Sequence, residues 1–217
     1  MVYFMTALSP YSDVVYPKFL DDPRKEPFYD VKLVADPDTL ELNVIEREFI
    51  GKGRGGMGMG YRVEPDLVPR KILWAGGRKK IPEAILRGFL AVSERFRDLV
   101  EQFEPNVHQL FPVDIYKTKS GEVVARYYWL NVCNRIDSVD KENSNVFWQP
   151  NYIGERGIWR YPDVGERKLV FSRPKIGNRH LWYDPFLMKG INCSSAFGDA
   201  GRAADFLGLS LTAYDEV

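Results

Sequence analysis

Apolar positions change period along this chain of 217 residues, and each change marks an element. Residues 2–8 are β-branched and aromatic and stop at Ser9-Pro10, which predicts a short strand ended by a turn. Pro17, Pro23, Pro27 and Pro37 then break the chain into short apolar pieces. Of these, 29–34 and 40–45 predict strands at the edge of a sheet. Residues 51–60 hold six glycines, whose backbone entropy favours a flexible loop over any regular element. From Pro82 onward Phe89, Val92, Phe96, Leu99, Val100 and Phe103 recur at steps of three and four with charges between them, the pattern of an amphipathic helix. Pro82 can start a first helical piece and Ser93 can cap a second, with Pro105 and Asn106 closing it.

Residues 108–117 and 123–137 flank the turn Thr118-Lys119-Ser120-Gly121 and predict a β-hairpin. In its second arm Tyr128, Leu130, Val132 and Ile136 share one face while Tyr127, Trp129, Asn131 and Cys133 share the other. Bulk on both faces predicts a central strand. Residues 138–165 are rich in Asn, Pro and Gly yet carry Trp148, Tyr152, Trp159 and Tyr161, which reads as irregular chain pinned by aromatic anchors. Strands are expected at 168–171 and 180–186. A last helix, capped by Ser194 or Ser195, runs through Ala203, Ala204, Phe206 and Leu207 to a stop at Gly208 and an extended tail at 209–214. Strands arrive as hairpins rather than alternating with helices. The expected class is therefore α+β, a largely antiparallel sheet with two or three helices packed on it and an irregular N-terminal part. The natural divisions are a strand-and-loop region over 1–80, which could be a subdomain of the same fold, and a core over 81–217.

Composition narrows the function classes. Thirty basic and thirty acidic residues cancel, so no global field draws nucleic acid or anionic lipid. The balance is local: 1–50 hold ten acids against five bases and 151–180 three against seven. Two cysteines are too few for a disulfide framework, the N-terminus lacks the character of a signal peptide, and no apolar stretch approaches the roughly 20 residues of a membrane span. A soluble protein of the reducing cytoplasm is expected.

Candidate chemistry is sparse. The glycine run satisfies GxGxxG twice, but Tyr61-Arg62-Val63-Glu64-Pro65 stands where a phosphate-binding helix should begin, and a mobile loop is the plainer reading. His108, Cys133, His180 and Cys193 form no CxxC or HxxxH pair, so packing outweighs zinc and no metal or cofactor is expected. Cys193, just ahead of a helix, could have its pKa lowered by the helix dipole. No GxSxG is present. The acid pairs Asp21-Asp22, Asp36 with Asp38, and Asp137 with Asp140 lie on polar turns where solvated, unshifted carboxylates are expected, and the bases Arg70, Lys71, Arg78, Lys79 and Lys80 read as a solvated face. Five tryptophans and twelve tyrosines exceed what a core of this size requires, and half-exposed ones serve as interface hot spots. Trp148 and Trp159 are the favoured pair, because no regular pattern forces them inward.

The stretch 92–143, VSERFRDLVEQFEPNVHQLFPVDIYKTKSGEVVARYYWLNVCNRIDSVDKEN, resembles the eleventh family of bacterial immunity proteins of polymorphic-toxin systems, formerly a domain of unknown function. The "HQLFPV", "YYWLNV" and "IDSVD" segments carry the likeness. The glycine-rich 51–60 and the aromatic 146–163 do not align with it. The resemblance implies a cytoplasmic non-enzyme that neutralises a cognate toxin, of the kind delivered between bacteria by contact, as in type VI secretion. It brings no catalytic residues and does not specify the toxin. A nuclease toxin would predict acidic contacts from the first fifty residues or from Asp137, Asp140 and Glu142. With Trp148, Tyr152, Trp159 and Arg160, the latter three acids make the expected toxin interface, with no direct contact to nucleic acid or membrane. The alternatives are a small cytoplasmic enzyme holding a phosphorylated ligand in the Gly51–Gly60 loop, and a secretion-system adaptor.

Overall fold

The computed structural model describes residues 1–7, 18–20, 60, 62–63, 68–74, 80–87, 89–118, 121–153, 156–165, 167–187 and 190–217. A six-stranded sheet is built from β2 (Lys18–Phe19), β3 (Lys71–Leu73), β4 (Ala84–Arg87), β5 (Phe89–Ser93), β6 (Gln109–Tyr116) and β7 (Val123–Asn131), in the order β2-β3-β6-β7-β5-β4. Its pairs are antiparallel except β3 with β6. The expected hairpin is β6–β7, and β7 is central, between β6 and β5. Its alternation is real: Tyr128, Leu130 and Val132 join one core cluster while Tyr127 and Trp129 join the cluster on the other face. The strand stops at Asn131, so Ile136 departs from that alternation and packs in a third cluster.

Helix α1 (Glu94–Phe103) is shorter than the periodicity predicts. Ser93 caps it, its Oγ accepting from the Phe96 N–H at 3.3 Å. The residues before it are not helical: β4 and β5 pair antiparallel, Ala84 with Val92 and Ile85 with Ala91. Leu90 and Val92 face one cluster and Ala91 the other. A run buried on both faces makes a strand, and at this length periodicity cannot separate it from a buried helix.

A second sheet contains β1 (Val2–Ala7), β10 (Val170–Phe171), β11 (Leu181–Tyr183), β12 (Ile191–Ser194) and β13 (Leu209–Glu216), in the order β10-β13-β1-β12-β11. The N-terminal strand thus sits between two C-terminal ones, with Tyr3 opposite both Cys193 and Ala213. Helix α2 (Arg173–Ile176) follows β10 and helix α3 (Ser195–Ala203) follows β12. Ser194, not Ser195, is the cap, accepting from the Phe197 N–H at 3.2 Å. The turn after α3 needs left-handed backbone at Asp205 (φ 51°) and Gly208 (φ 89°), conformations suited to Asp and Gly.

The two sheets share one core. Tyr3, Met5 and Cys193 of the five-stranded sheet pack with Leu90, Val92 and Leu130 of the six-stranded one, around Phe96 and Val100 of α1 and Phe197 of α3. Buried Glu83 ties the layers by accepting from the Leu207 N–H at 3.0 Å and from Arg95 at 3.3 Å. The class is α+β, with two packed sheets where one was expected. Residues 29–34, 40–45 and 51–59 lie outside the described residues.

Candidate binding face

Beyond β7 the chain runs beside the five-stranded sheet, held by main-chain bonds from Tyr183 N–H to Asn134 O and from Ile136 N–H to Tyr183 O. Asp184, fully buried, then fixes the chain at Ser138. Its Oδ2 accepts from the Ser138 N–H at 2.8 Å and the Ser138 hydroxyl at 2.7 Å, and its Oδ1 from the Phe186 N–H at 2.9 Å. Burial pushes this carboxyl above its ordinary value, against the pull of those donors. The next bonds, Ser172 N–H to Ser138 O and Asp140 N–H to Val170 O, lay 138–140 against β10.

Residues 138–165 are more regular than their composition predicts. Strands β8 (Phe147–Ile153) and β9 (Arg156–Arg160) form an antiparallel ribbon with Trp148 opposite Trp159 and Phe147 opposite Arg160. The missed signal is Gly154-Glu155 between two aromatic runs, a hairpin spacing. Trp148 is 42% exposed and Phe147 45%. The Trp148 indole meets Trp159 edge-on at 4.9 Å and Phe186 at 5.6 Å. It also lies across Gly157, where a Cβ would fall 2.1 Å from the ring. Trp159 is anchored from its backbone, its N–H donating to Phe186 O at 2.8 Å.

Of the predicted residues, Trp148, Trp159 and Asp137 are brought together here, through Lys141. Lys141 Nζ lies 4.9 Å from the Trp159 ring and 3.5 Å from Asp137 Oδ2, which Lys175 shares at 3.5 Å. Asp140 Oδ1 closes its own turn by accepting from the Glu142 and Asn143 N–H groups and the Asn143 amide. Led by the Asn143 N–H, these donors hold its carboxyl below the ordinary range, which corrects the expectation of an unshifted acid. Glu142 is exposed, and Arg160 donates to Gln149 Oε1 at 2.8 Å. Tyr152 lies on β8, with its side chain outside the described residues. Phe147 turns to the other side of the ribbon with Gln149 and Arg160. Phe186, Lys141 and Lys175 join the Trp148–Trp159 side, and no sequence motif marks them. Folding alone brings them together.

Groups with catalytic potential are used elsewhere as struts. His108 Nδ1 accepts from the Cys133 N–H at 3.1 Å, so Nε2 carries the proton it donates to Glu104 at 2.7 Å. Glu104 also accepts from the Asn134 amide and the main-chain N–H groups of His180 and Leu181. The Cys133 thiol donates to Asn131 O at 3.3 Å. Burial pushes the Cys193 thiol up to about 12, opposite to the lowering expected from the helix dipole. His180 Nδ1 meets Ser194 Oγ at 2.8 Å, and that oxygen already caps α3. Among the described residues no group of three or more His, Cys, Asp or Glu is placed to hold a metal ion.

The sequence profile of the immunity protein family Imm11 matches residues 41–216. This chain belongs to the Imm11 immunity protein family. The match contains the "HQLFPV" and "YYWLNV" strands, now β6 and β7, and extends over the aromatic ribbon, which those segments do not include. Membership in Imm11 carries an immunity function and implies a non-enzymatic role. No curated protein matches this chain. Among the described residues no helix is long and apolar enough to cross a membrane.

Proposed function

We propose that this Imm11 protein neutralises a cognate toxin in the cytoplasm by occlusion, docking over the toxin's active cleft with the face built from 137–148 and the β8–β9 ribbon. The observation that carries this reading is Trp148, an exposed indole braced edge-on by Trp159 and Phe186 and seated on Gly157. Such an aromatic loses little rotamer freedom on binding and suits the centre of an interface. Lys141 and Glu142 supply a polar rim, Arg160 turns to the other side of the ribbon with Gln149, and Asp137 and Asp140 are held by their own lysines and turn. Electrostatic attraction of a basic nuclease through these acids is correspondingly weakened. A complex of standard size would bury on the order of 1,600 Å².

The test uses the product of the neighbouring gene where that gene encodes a toxin domain. Co-expression with the wild-type chain rescues growth and yields a stable complex, and Trp148→Ala weakens that complex by at least tenfold with the far-UV spectrum unchanged. A complex that forms equally well with Trp148→Ala and with Lys141→Glu overturns the assignment of this face. Absence of both rescue and complex overturns occlusion of that toxin altogether.

A further inference from the structure

We propose that a second copy of this chain adds to the outer edge of β13, joining two five-stranded sheets antiparallel across a two-fold axis. Within the sheet, β13 pairs with β1 from Leu209 to Tyr214, but β10 covers its other side only at Asp215 and Glu216. Among the described residues no strand lies beside the outer edge of 210–213. In an antiparallel strand every second residue turns both its N–H and its C=O to the same side, so this stretch points main-chain donors and acceptors outward. Other ends of the same sheet are covered by the chain itself: β11 by 134–136 and β10 by 138–140. Native edges left open are normally blunted by charge, proline or a bulge. Ser210, Leu211, Thr212 and Ala213 have none of the first two, and the β1–β13 register runs without a shift.

The two ends of the strand complement each other. At its C-terminal end 167–169 diverge from β13, leaving a groove of about 320 Å³ lined by Arg167, Lys168, Leu169, Ala213, Tyr214 and Asp215, with Met1 beside them. At its N-terminal end the chain leaves the sheet at Gly208, next to Leu207, 37% exposed, and the exposed Asp205. Antiparallel pairing reverses one copy against the other. Each Leu207 then approaches the partner copy's groove and each Asp205 its two basic side chains, with both contacts made twice, as an isologous interface requires. The uncharged middle of the strand meets itself without like-charge opposition.

The experiment is light scattering on the purified full chain from about 1 to 100 μM, the range in which weak dimers dissociate, with hydrogen exchange at both extremes. The expected result is a mass rising toward twice that of the monomer, with protection gained at 210–213. Arg167→Glu combined with Lys168→Glu weakens the dimer at least tenfold by setting acids against Asp205, and adding Asp205→Asn restores part of the loss. Leu207→Asp weakens it at least as much, and circular dichroism confirms that each variant is folded. A monomer at the highest concentration, a dimer indifferent to these changes, or protection at 210–213 gained only with another protein present overturns the proposal. None of these results bears on toxin binding through Trp148.

Discussion

Glu104 and Asp184 are two buried carboxylates whose surroundings act in opposite directions. At Glu104 burial raises the pKa, but the donors from His108, His180 and Leu181 outweigh it and leave the group below its ordinary value. Its contribution to stability is therefore present above the unfolded value of about 4.3 and is lost as pH falls through the lower folded value. Asp184 is raised, so its contribution is present below the unfolded value of about 3.9 and is lost as pH rises through the raised folded one. Chemical unfolding between pH 3 and 7 checks both signs. Glu104→Gln flattens the loss on the acid side, and Asp184→Asn removes the loss on raising the pH. At pH 7 Glu104→Gln costs about 3 kcal/mol, because its amide N–H₂ opposes donors already aimed at the site.

Both longer helices begin at a serine that closes on the third residue beyond it, Ser93 on Phe96 and Ser194 on Phe197. Substituting either by alanine costs about 1 kcal/mol in thermal unfolding, and Ser194→Ala also deprives His180 Nδ1 of its partner. Helix α3 sits close to β1 because Gly198 leaves room: a Cβ there would lie 2.2 Å from Tyr3 Cδ2. In an exposed helix Gly→Ala stabilises, but here the ring is held by Asp199 and Arg202. Gly198→Ala is expected to lose about 1–3 kcal/mol, measured as a lower denaturant midpoint. Cap and hairpin were readable because each is a local agreement among neighbouring residues. The strand pair β4–β5 was not, since 84–93 suits helix and strand alike until Leu130 and Trp129 of β7 bind alongside it.

Phe96 joins the two sheets, fully buried and in ring contact with Phe197 at 6.1 Å and Phe206 at 5.1 Å. Phe96→Ala is expected to cost about 3–5 kcal/mol. Because this core is shared, near- and far-UV signals are expected to lose cooperative structure in one transition; two separated transitions would show that the sheets unfold independently. The proposed binding face lies outside this shared core, on a ribbon braced by Asp184 through Phe186. Trp148→Ala is therefore expected to shift the melting temperature by only a few degrees, the scale of about 1 kcal/mol for a chain of this size.

Local sequence determined the cap at Ser93, a serine cap at 194 or 195, the β6–β7 hairpin and the facing of Trp129 against Leu130, since each rests on interactions within a few residues or on the two-residue period of a strand. It also carried the family, through segments that became β6 and β7. Tertiary structure alone decided that β1 would lie between β12 and β13, nearly the full chain apart, and that 84–93 would be sheet. It likewise joined Asp137 to Lys175 and set Trp148 against Phe186. Those outcomes depend on which distant surfaces exclude water together, and a residue's neighbours in sequence do not encode its neighbours in space.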